Sequence, residues 1–334
     1  MHDWYKNHLS GFHTEKAQKE LHQYDLDKPA KRNQKLAVIH VPILKPENVG
    51  ESMAIDEKYI AGEFYTLLTN NQTGKVAVMA ATHKKHELDT IFSYLGDKRF
   101  DVKTLTRDLS QTYEWVGRTN FMAAYHVADK FHVIRQLFES LQSIRIFYRQ
   151  ELLAQQRKLQ EQRKNSENES KSKPKDIELE NGETHMELLA RSIYLLYKQS
   201  SQWTDNQRNR AIVLFKQYPQ IENAYHLAMA FRSWYSKDFI CFEKERQAIS
   251  DNRKSRLSLL ENWYLQVDQA NVPEMLNFKA LVIRHQGVIL NYFIKGDTNA
   301  RAEALNSFIQ KIISNNLNTR NLDFSHFRLK NYLS

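Results

Sequence analysis

The chain has 334 residues, 41% of them hydrophobic and 26% charged, which is enough for one large domain or two ordinary ones. Its single cysteine, Cys241, excludes an internal disulfide and a zinc site built from several thiolates of this chain. The 48 Lys and Arg against 39 Asp and Glu leave a net charge of +9, which favours a polyanionic partner such as nucleic acid without requiring one.

The first 49 residues are predicted to form a polar lead-in. A helical pattern covers Thr14 to Tyr24, and an apolar run from Leu36 to Leu44 is interrupted by Pro42. The residues from Met1 to Lys6 lack the apolar region of a signal peptide, and no apolar stretch is long enough to span a bilayer. We therefore expect a cytoplasmic protein that does not enter membranes.

Three antiparallel strands are predicted next. They are Met53 to Ile60, Glu63 to Thr69 and Lys75 to Ala80, and the turn residues Asn70 to Gly74 separate the second from the third. Apolar residues at helical spacing then predict a helix from His86 to Leu95.

Two further strands are each followed by an acid. The β-branched stretch from Val102 to Thr106 leads to Asp108, and a helix over residues 110–120 separates it from a fifth strand that ends at Asp129. Ligands of open α/β sheets gather outside the carboxyl ends of the strands, so acids at this edge are placed for chemistry. The alternative is structural: Asp108 caps a helix, and Asp129 caps the next one with His132 as its first-turn neighbour.

The second half of the chain is predicted to be helical. An amphipathic helix with Ile134 and Tyr148 on its apolar face runs into a charged stretch, residues 154–186, that we expect to be flexible. Residues 187–293 show helical periodicity without strand patterns, and a closing helix begins near Asn299. We expect three tryptophans of the helical region to pack in its core. We expect six basic residues to lie on a solvated face, where they would be candidates for phosphate contacts if the substrate is DNA. These are Trp203, Trp234 and Trp263, and Arg145, Arg149, Arg157, Lys158, Arg163 and Lys164.

Asp56, Asp108 and Glu303 are the candidate catalytic acids. Asp56 lies within the first strand, which can neighbour the strand before Asp108, and Glu303 lies in a polar stripe of the closing helix. Carboxylates that converge at a sheet edge suit Mg²⁺, a hard ion that prefers oxygen ligands. Two such ions can hold the attacking and leaving oxygens of a phosphoryl displacement, so the pattern indicates phosphodiester chemistry.

The order of elements and acids resembles the RNase H-like DDE transposases of bacterial insertion sequences, most closely the ISL-three group. The motifs that carry the resemblance are Ile55-Asp56-Glu57, Thr106-Arg107-Asp108, Ala128 to Val133, and Thr298 to Asn306. The resemblance implies an α/β fold with an RNase H-like mixed five-stranded sheet and a large all-helical insertion before the last catalytic helix.

The implied domains are an N-terminal lead-in (1–49), the first part of the RNase H-like core (50–153), a flexible charged linker (154–186), the helical insertion (187–293) and the C-terminal part of the core (294–334).

The resemblance also implies the chemistry. Asp56, Asp108 and Glu303 would be the catalytic ligands of two Mg²⁺ ions, for which Mn²⁺ is expected to substitute, and Asp129 with His132 would be an accessory part of the active site. The implied reaction is cleavage of double-stranded DNA at transposon ends followed by strand transfer into target DNA. Synapsis of two ends indicates a homo-oligomer on DNA.

The chain departs from the family pattern in one respect. The zinc-binding and helix-turn-helix region that longer relatives carry is not found here, so we expect a separate helix-turn-helix or zinc-finger protein, or a truncated upstream segment, to recognise the transposon ends. Two alternatives stay open: an RNase H-like nuclease that cuts without joining, and a non-catalytic DNA-binding remnant or accessory protein of a mobile element.

Overall fold

The computed structural model describes residues 41–60, 63–165, 177–236, 246–295 and 311. The chain divides into two compact units. One comprises Met1–His132 with Gly287–Ser334, and the other comprises Val133–Gln286. None of the helices in the described ranges has the length and apolar character that a bilayer-spanning segment needs.

The first unit contains a six-stranded mixed sheet with the strand order β1-β4-β3-β2-β5-β6. Its strands are β1 (Ile43–Leu44), β2 (Ser52–Ile60), β3 (Glu63–Asn70), β4 (Val76–Ala80), β5 (Thr104–Arg107) and β6 (Tyr125–Ala128). The pairs β1-β4, β4-β3 and β3-β2 are antiparallel, whereas β2-β5 and β5-β6 are parallel. The three predicted antiparallel strands are therefore present, and the turn before β4 contains Gly74 at φ 74°, in the left-handed region that glycine favours.

The prediction of five strands was wrong by one. Ile43 and Leu44, which the sequence placed in the lead-in, pair with Met79 and Val78 of β4. This strand has only two residues and follows Pro42, which has no N–H to donate, so neither its length nor its composition marks it in the sequence.

Two helices cover one face of the sheet. They are α1 (Lys85–Ser93) and α2 (Gln111–Asn120), and the short 3₁₀ helix Gly96–Asp101 connects α1 to β5. The core between them and the sheet includes Met53, Ile55, Leu68, Val78, Leu88, Ile91, Phe92, Leu105, Tyr113 and Val116. The opposite face of the sheet is also buried, at Ile43, Ala54, Leu67, Met79, Thr106 and Val127.

Strand β6 lies at one edge of the sheet. The helix α10 (Gln286–Lys295) reaches this edge through Asn291, whose Nδ2 donates to the backbone carbonyl of His126 at 2.9 Å. The next residue, Tyr292, accepts a hydrogen bond of 3.4 Å from Lys130, whose ammonium also lies 5.3 Å from the centre of the Tyr292 ring. These contacts hold α10 at the β6 edge of the sheet.

Helices make up nearly all the secondary structure of the second unit. They are most of α3 (Lys130–Asn165), then α4 (His185–Arg191), α5 (Ile193–Leu196), α6 (Asp205–Gln217), α7 (Pro219–Ser236), α8 (Arg246–Ala270) and α9 (Pro273–Arg284). Within the predicted helical region, Ser192 separates α4 from α5 and His285 separates α9 from α10. The expectation of a flexible stretch beginning at 154 was wrong up to Asn165, where α3 ends, because Glu, Gln, Lys and Arg are good helix formers even without an apolar face.

Tryptophans anchor this helical unit as predicted. Trp234 and Trp263 are buried, and their indole N–H groups donate to the backbone carbonyls of Arg256 and Leu227. Trp203 is half-buried and donates to the carbonyl of Leu195 at 2.9 Å. The indole groups therefore pack in the interior and satisfy carbonyls there.

Arg145 departs from the predicted solvated face. It is buried, and its guanidinium donates to the Gln142 side chain and to the Leu189 carbonyl at 2.7 and 2.8 Å. Burial lowers the pKa of Arg145, and the nearby Arg149 lowers it further. Arg145 therefore joins two segments of the helical unit, and the exposed Arg149, Arg157 and Lys158 are left as the described part of the solvated face.

Candidate active site

Three acids stand in a row across neighbouring strands, one within β2 and one directly after each of β5 and β6. Ile55 pairs with Arg107 and Arg107 pairs with Ala128, so the next residues of the three strands, Asp56, Asp108 and Asp129, lie at one level. The hydrogen bond of 2.7 Å from the Asp129 N–H to the Arg107 carbonyl continues the ladder to this level. Since neighbouring strands are about 4.8 Å apart, adjacent acids of the row are within reach of a shared ligand.

Asp56 is a buried acid near the middle of β2. Its Oδ1 accepts from the Glu57 N–H at 2.8 Å, and its Oδ2 lies 3.4 Å from the ammonium of Lys58. Alternation along β2 places Asp56 on the face of the sheet opposite to the Ile55 core. A negative charge is therefore held at a buried position with a lysine as its counter-ion.

Asp108 follows β5 directly and is half-buried. Its Oδ1 accepts from the Ser110 N–H at 2.8 Å, whereas the described residues supply no hydrogen bond to its Oδ2. The cap of α2 is Ser110, whose hydroxyl accepts from the Tyr113 N–H. The helix-cap alternative for Asp108 is therefore wrong, and its carboxylate shapes the turn while one oxygen stays available.

Asp129 and His132 form a hydrogen-bonded pair at the start of α3. Asp129 Oδ1 accepts from the Phe131 N–H at 3.0 Å, and Oδ2 lies 2.8 Å from His132 Nδ1. The hydrogen bond from Asp129 raises the pKa of His132 above its usual range, and the charges of Asp129, Asp56 and Asp108 act in the same direction against the effect of burial. Asp129 thus acts as a helix cap and also orients the imidazole, with both of its oxygens engaged.

A buried tyrosine supports this end of the sheet. Thr66 donates its hydroxyl hydrogen to the Thr82 carbonyl at 2.7 Å, so the Tyr113 hydroxyl donates to Thr66 at 2.9 Å and shares this hydrogen with Glu57 Oε2 at 3.4 Å. Burial raises the pKa of Tyr113 well above its ordinary value, and the charges of Glu57, Asp108 and Asp56 raise it further. Tyr113 is therefore a neutral donor that ties α2 to β3 beneath the carboxylates.

The donor set of the row fits a hard divalent cation. Asp56 and Asp108 present carboxylate oxygens at the same level of adjacent strands, and carboxylates are the ligands Mg²⁺ prefers. The described residues contain no cluster of three or more His, Cys, Asp or Glu side chains arranged as a metal site. Glu303, the third predicted ligand, lies outside the described residues.

Comparison with known proteins identifies the family. A family model for transposases, the DDE transposases of the ISL3 (ISL-three) group, matches residues 53–330. This chain belongs to that transposase family. No curated protein and no solved structure matches the transposase significantly.

The structure adds Arg107, to which the sequence assigns no role, to the residues near the site. Arg107, the last residue of β5, is almost completely buried in the transposase, and its Nη1 donates to the Asp108 carbonyl at 2.9 Å. No local pattern in the sequence marks its burial, because arginine is seldom fully buried and its position at the end of a strand is ordinary.

Proposed function

We propose that this transposase cuts and joins DNA by metal-dependent phosphodiester chemistry, in an RNase H-like fold, with Asp56, Asp108 and Glu303 as metal ligands. The observation that carries the proposal is the common level of Asp56, within β2, and Asp108, directly after the adjacent parallel strand β5. The family match supports the same chemistry. The proposed substrates are double-stranded transposon ends and target DNA.

In the proposed site, the metals supply positive charge and the protein side chains position the metals. Bound Mg²⁺, or Mn²⁺ in its place, supplies the charge that activates a nucleophilic oxygen and stabilises the leaving oxygen. Asp56 and Asp108 fix where that charge sits, and Lys58 compensates Asp56 before the site is loaded. Because Asp108 is held by the Ser110 N–H through one oxygen only, its other oxygen can bind a cation without breaking the turn.

His132 is proposed as an accessory donor to DNA. Its Nδ1 is held by Asp129, which leaves Nε2 as the ring atom that can meet a phosphate oxygen. Protonation at Nδ1 and Nε2, favoured by the neighbouring acids, makes Nε2 a charged donor. Asp129 is a positioning residue in this scheme, since both of its oxygens are already used.

We propose that the protein works as a homo-oligomer on two DNA ends, with a separate protein to recognise the terminal repeats. In the cell this places it in the cytoplasm, associated with the nucleoid when it is bound to DNA. Sedimentation of the chain with and without a DNA end tests the first point: a single chain per synapsed pair of ends contradicts it. Tight sequence-specific binding of terminal repeats by this chain alone contradicts the second.

The catalytic proposal is tested with the purified full chain and DNA that carries the sequences flanking its reading frame. Cleavage and strand-transfer products are measured with Mg²⁺ and with a chelator for Asp56→Asn, Asp108→Asn and Glu303→Gln. Each variant is expected to lose activity by at least about a hundredfold, the order seen when one charge-stabilising group is removed from a site. Asp101→Asn is the matched control, because this exposed acid pairs only with Lys98 among the described residues.

The outcomes separate the alternatives. Cleavage without strand transfer indicates a nuclease, and no metal-dependent cleavage of any flanking DNA indicates a non-catalytic accessory protein. Wild-type activity in any of the three variants, with folding checked by circular dichroism, contradicts the assignment of the metal ligands.

A further inference from the structure

A pocket of about 350 Å³ lies in the first unit beside β5 and β6, on the face that carries α2. The described residues that line it are Arg107, Arg118, Met122, Ala124, His126 and Val288. Arg118 and Met122 are exposed at its rim, whereas Arg107 forms its buried wall. The pocket is therefore open to solvent at one side and lined by basic groups.

Arg107 brings a buried charge to this pocket without a counter-ion. Its relative exposure is 1%, its Nη1 donates to a neutral carbonyl, and its Nε has no hydrogen-bond partner among the described residues. No carboxylate in the described ranges forms an ion pair with it. A buried unpaired charge is costly, and a guanidinium stays protonated in proteins, so the site lacks an anion.

The neighbouring charges leave the pocket positive. Arg118 forms an ion pair with Glu114 at 2.8 Å one turn earlier in α2, so those two charges compensate each other. Burial and the charge of Arg107 lower the pKa of His126, which keeps this histidine neutral as a hydrogen-bonding group. Gly117 leaves room for it, since a Cβ there would stand 2.9 Å from His126 Cε1. Arg107 has no direct ion pair among the described residues, and the charges of Glu114 and Asp108 only partly offset the cost of its burial, which lowers its pKa.

We propose that this pocket binds a backbone phosphate of the DNA strand, held by Arg107 and Arg118 with His126 as a further partner. A phosphodiester carries one negative charge and two acceptor oxygens, which match the forked donors of arginine. The pocket and the Asp56 carboxylate lie on opposite faces of the sheet, and Arg107 links them through the backbone, because it precedes Asp108 and donates to the Asp108 carbonyl. The identity of the strand rests on the proposed function, and the bound phosphate is one that the reaction does not break.

The experiment uses the full chain with ¹³C-labelled histidine, and His126→Gln assigns the signal of that ring. The probes are a four-nucleotide oligothymidylate and, separately, inorganic phosphate. The oligonucleotide is expected to raise the pKa of His126, because a bound anion favours the imidazolium. Arg118→Gln should weaken oligonucleotide binding about tenfold, as expected for one charged hydrogen bond. Glu114→Gln should strengthen it about threefold by releasing Arg118.

Two further variants sharpen the test. Arg135→Gln removes the same charge and breaks the same kind of ion pair, with Glu139 at 2.7 Å four residues away, but Arg135 does not line the pocket. It should leave the response of His126 unchanged. Arg107→Met removes the buried charge and should abolish the response, while the rim variants test the pocket without altering its buried wall.

The inference is overturned if the oligonucleotide leaves His126 unchanged, if Arg118→Gln and Arg135→Gln weaken binding equally, or if inorganic phosphate alone gives the response. If the chain cleaves DNA but the oligonucleotide does not change the pKa of His126, the phosphate-binding pocket is rejected and the proposed function is retained. If the oligonucleotide raises the pKa of His126 but the chain does not cleave DNA, the phosphate-binding pocket is supported and the proposed function is rejected.

Discussion

Removing the carboxylate charge of Asp129 should lower the pKa of His132 and cancel a stabilisation that is greatest at low pH. The His132 side chain is 27% exposed and that of Asp129 is 8% exposed, and their contact is 2.8 Å. A hydrogen bond between charged groups in such a setting contributes about 1.5–3 kcal/mol. Because the folded pKa of His132 is raised above its unfolded value of 6.5, this contribution is fully present below that value. It is lost as the pH rises through the folded pKa.

The assay is a double-mutant cycle of urea unfolding with Asp129→Asn, His132→Gln and the double variant, measured at about pH 5.5 and about pH 8.5, on either side of an ordinary histidine pKa. The pair of His226 and Glu222 is the control, since its atoms are 3.9 Å apart and its side chains are 67% and 44% exposed. Its coupling energy should be about 0.5 kcal/mol or less. A coupling of Asp129 with His132 that is no larger than this, or that grows with pH, refutes the reasoning.

Two substitutions test the support of the site. Tyr113→Phe removes the buried hydroxyl that donates to Thr66 and should lower the free energy of unfolding by about 1 kcal/mol in chemical denaturation, whereas the exposed Tyr125→Phe should have no effect. Equal effects of the two would contradict the network. Gly117→Ala should destabilise by about 1–3 kcal/mol in the same assay, because the new methyl meets His126 and Leu105, although alanine is the better helix former. Gly287→Ala, with nothing within 4 Å, is its control and should be neutral or stabilising.

Much of the sheet could be predicted from the sequence, because local pattern and pairing agree there. Alternation in β2 and β3 and the Gly74 turn specify an antiparallel meander, and short strands separated by a helix specify the parallel pairs. The missing strand β1 depends on pairing with β4 over two residues, which is a tertiary contact without a local pattern. The length of α3 was missed because charged residues favour both helices and disorder.

The positions of the candidate acids could be predicted where the strand pattern shows which residues lie next to each other in the sheet. The neighbouring levels of Asp56 and Asp108 follow from the parallel pairing of their strands, which the sequence suggested. Burial of a charge is not visible in this way: Arg107 looks like an ordinary strand-end arginine until the surrounding elements are known. Glu303 lies outside the described residues, so its role as the third metal ligand stays a prediction.

The side chain of Asn291 has a consequence for self-association. By occupying the His126 carbonyl, it takes up an acceptor that an incoming strand from another molecule would need in order to extend the sheet beyond β6. Edge-to-edge polymerisation through β6 therefore requires expelling an amide that is already satisfied.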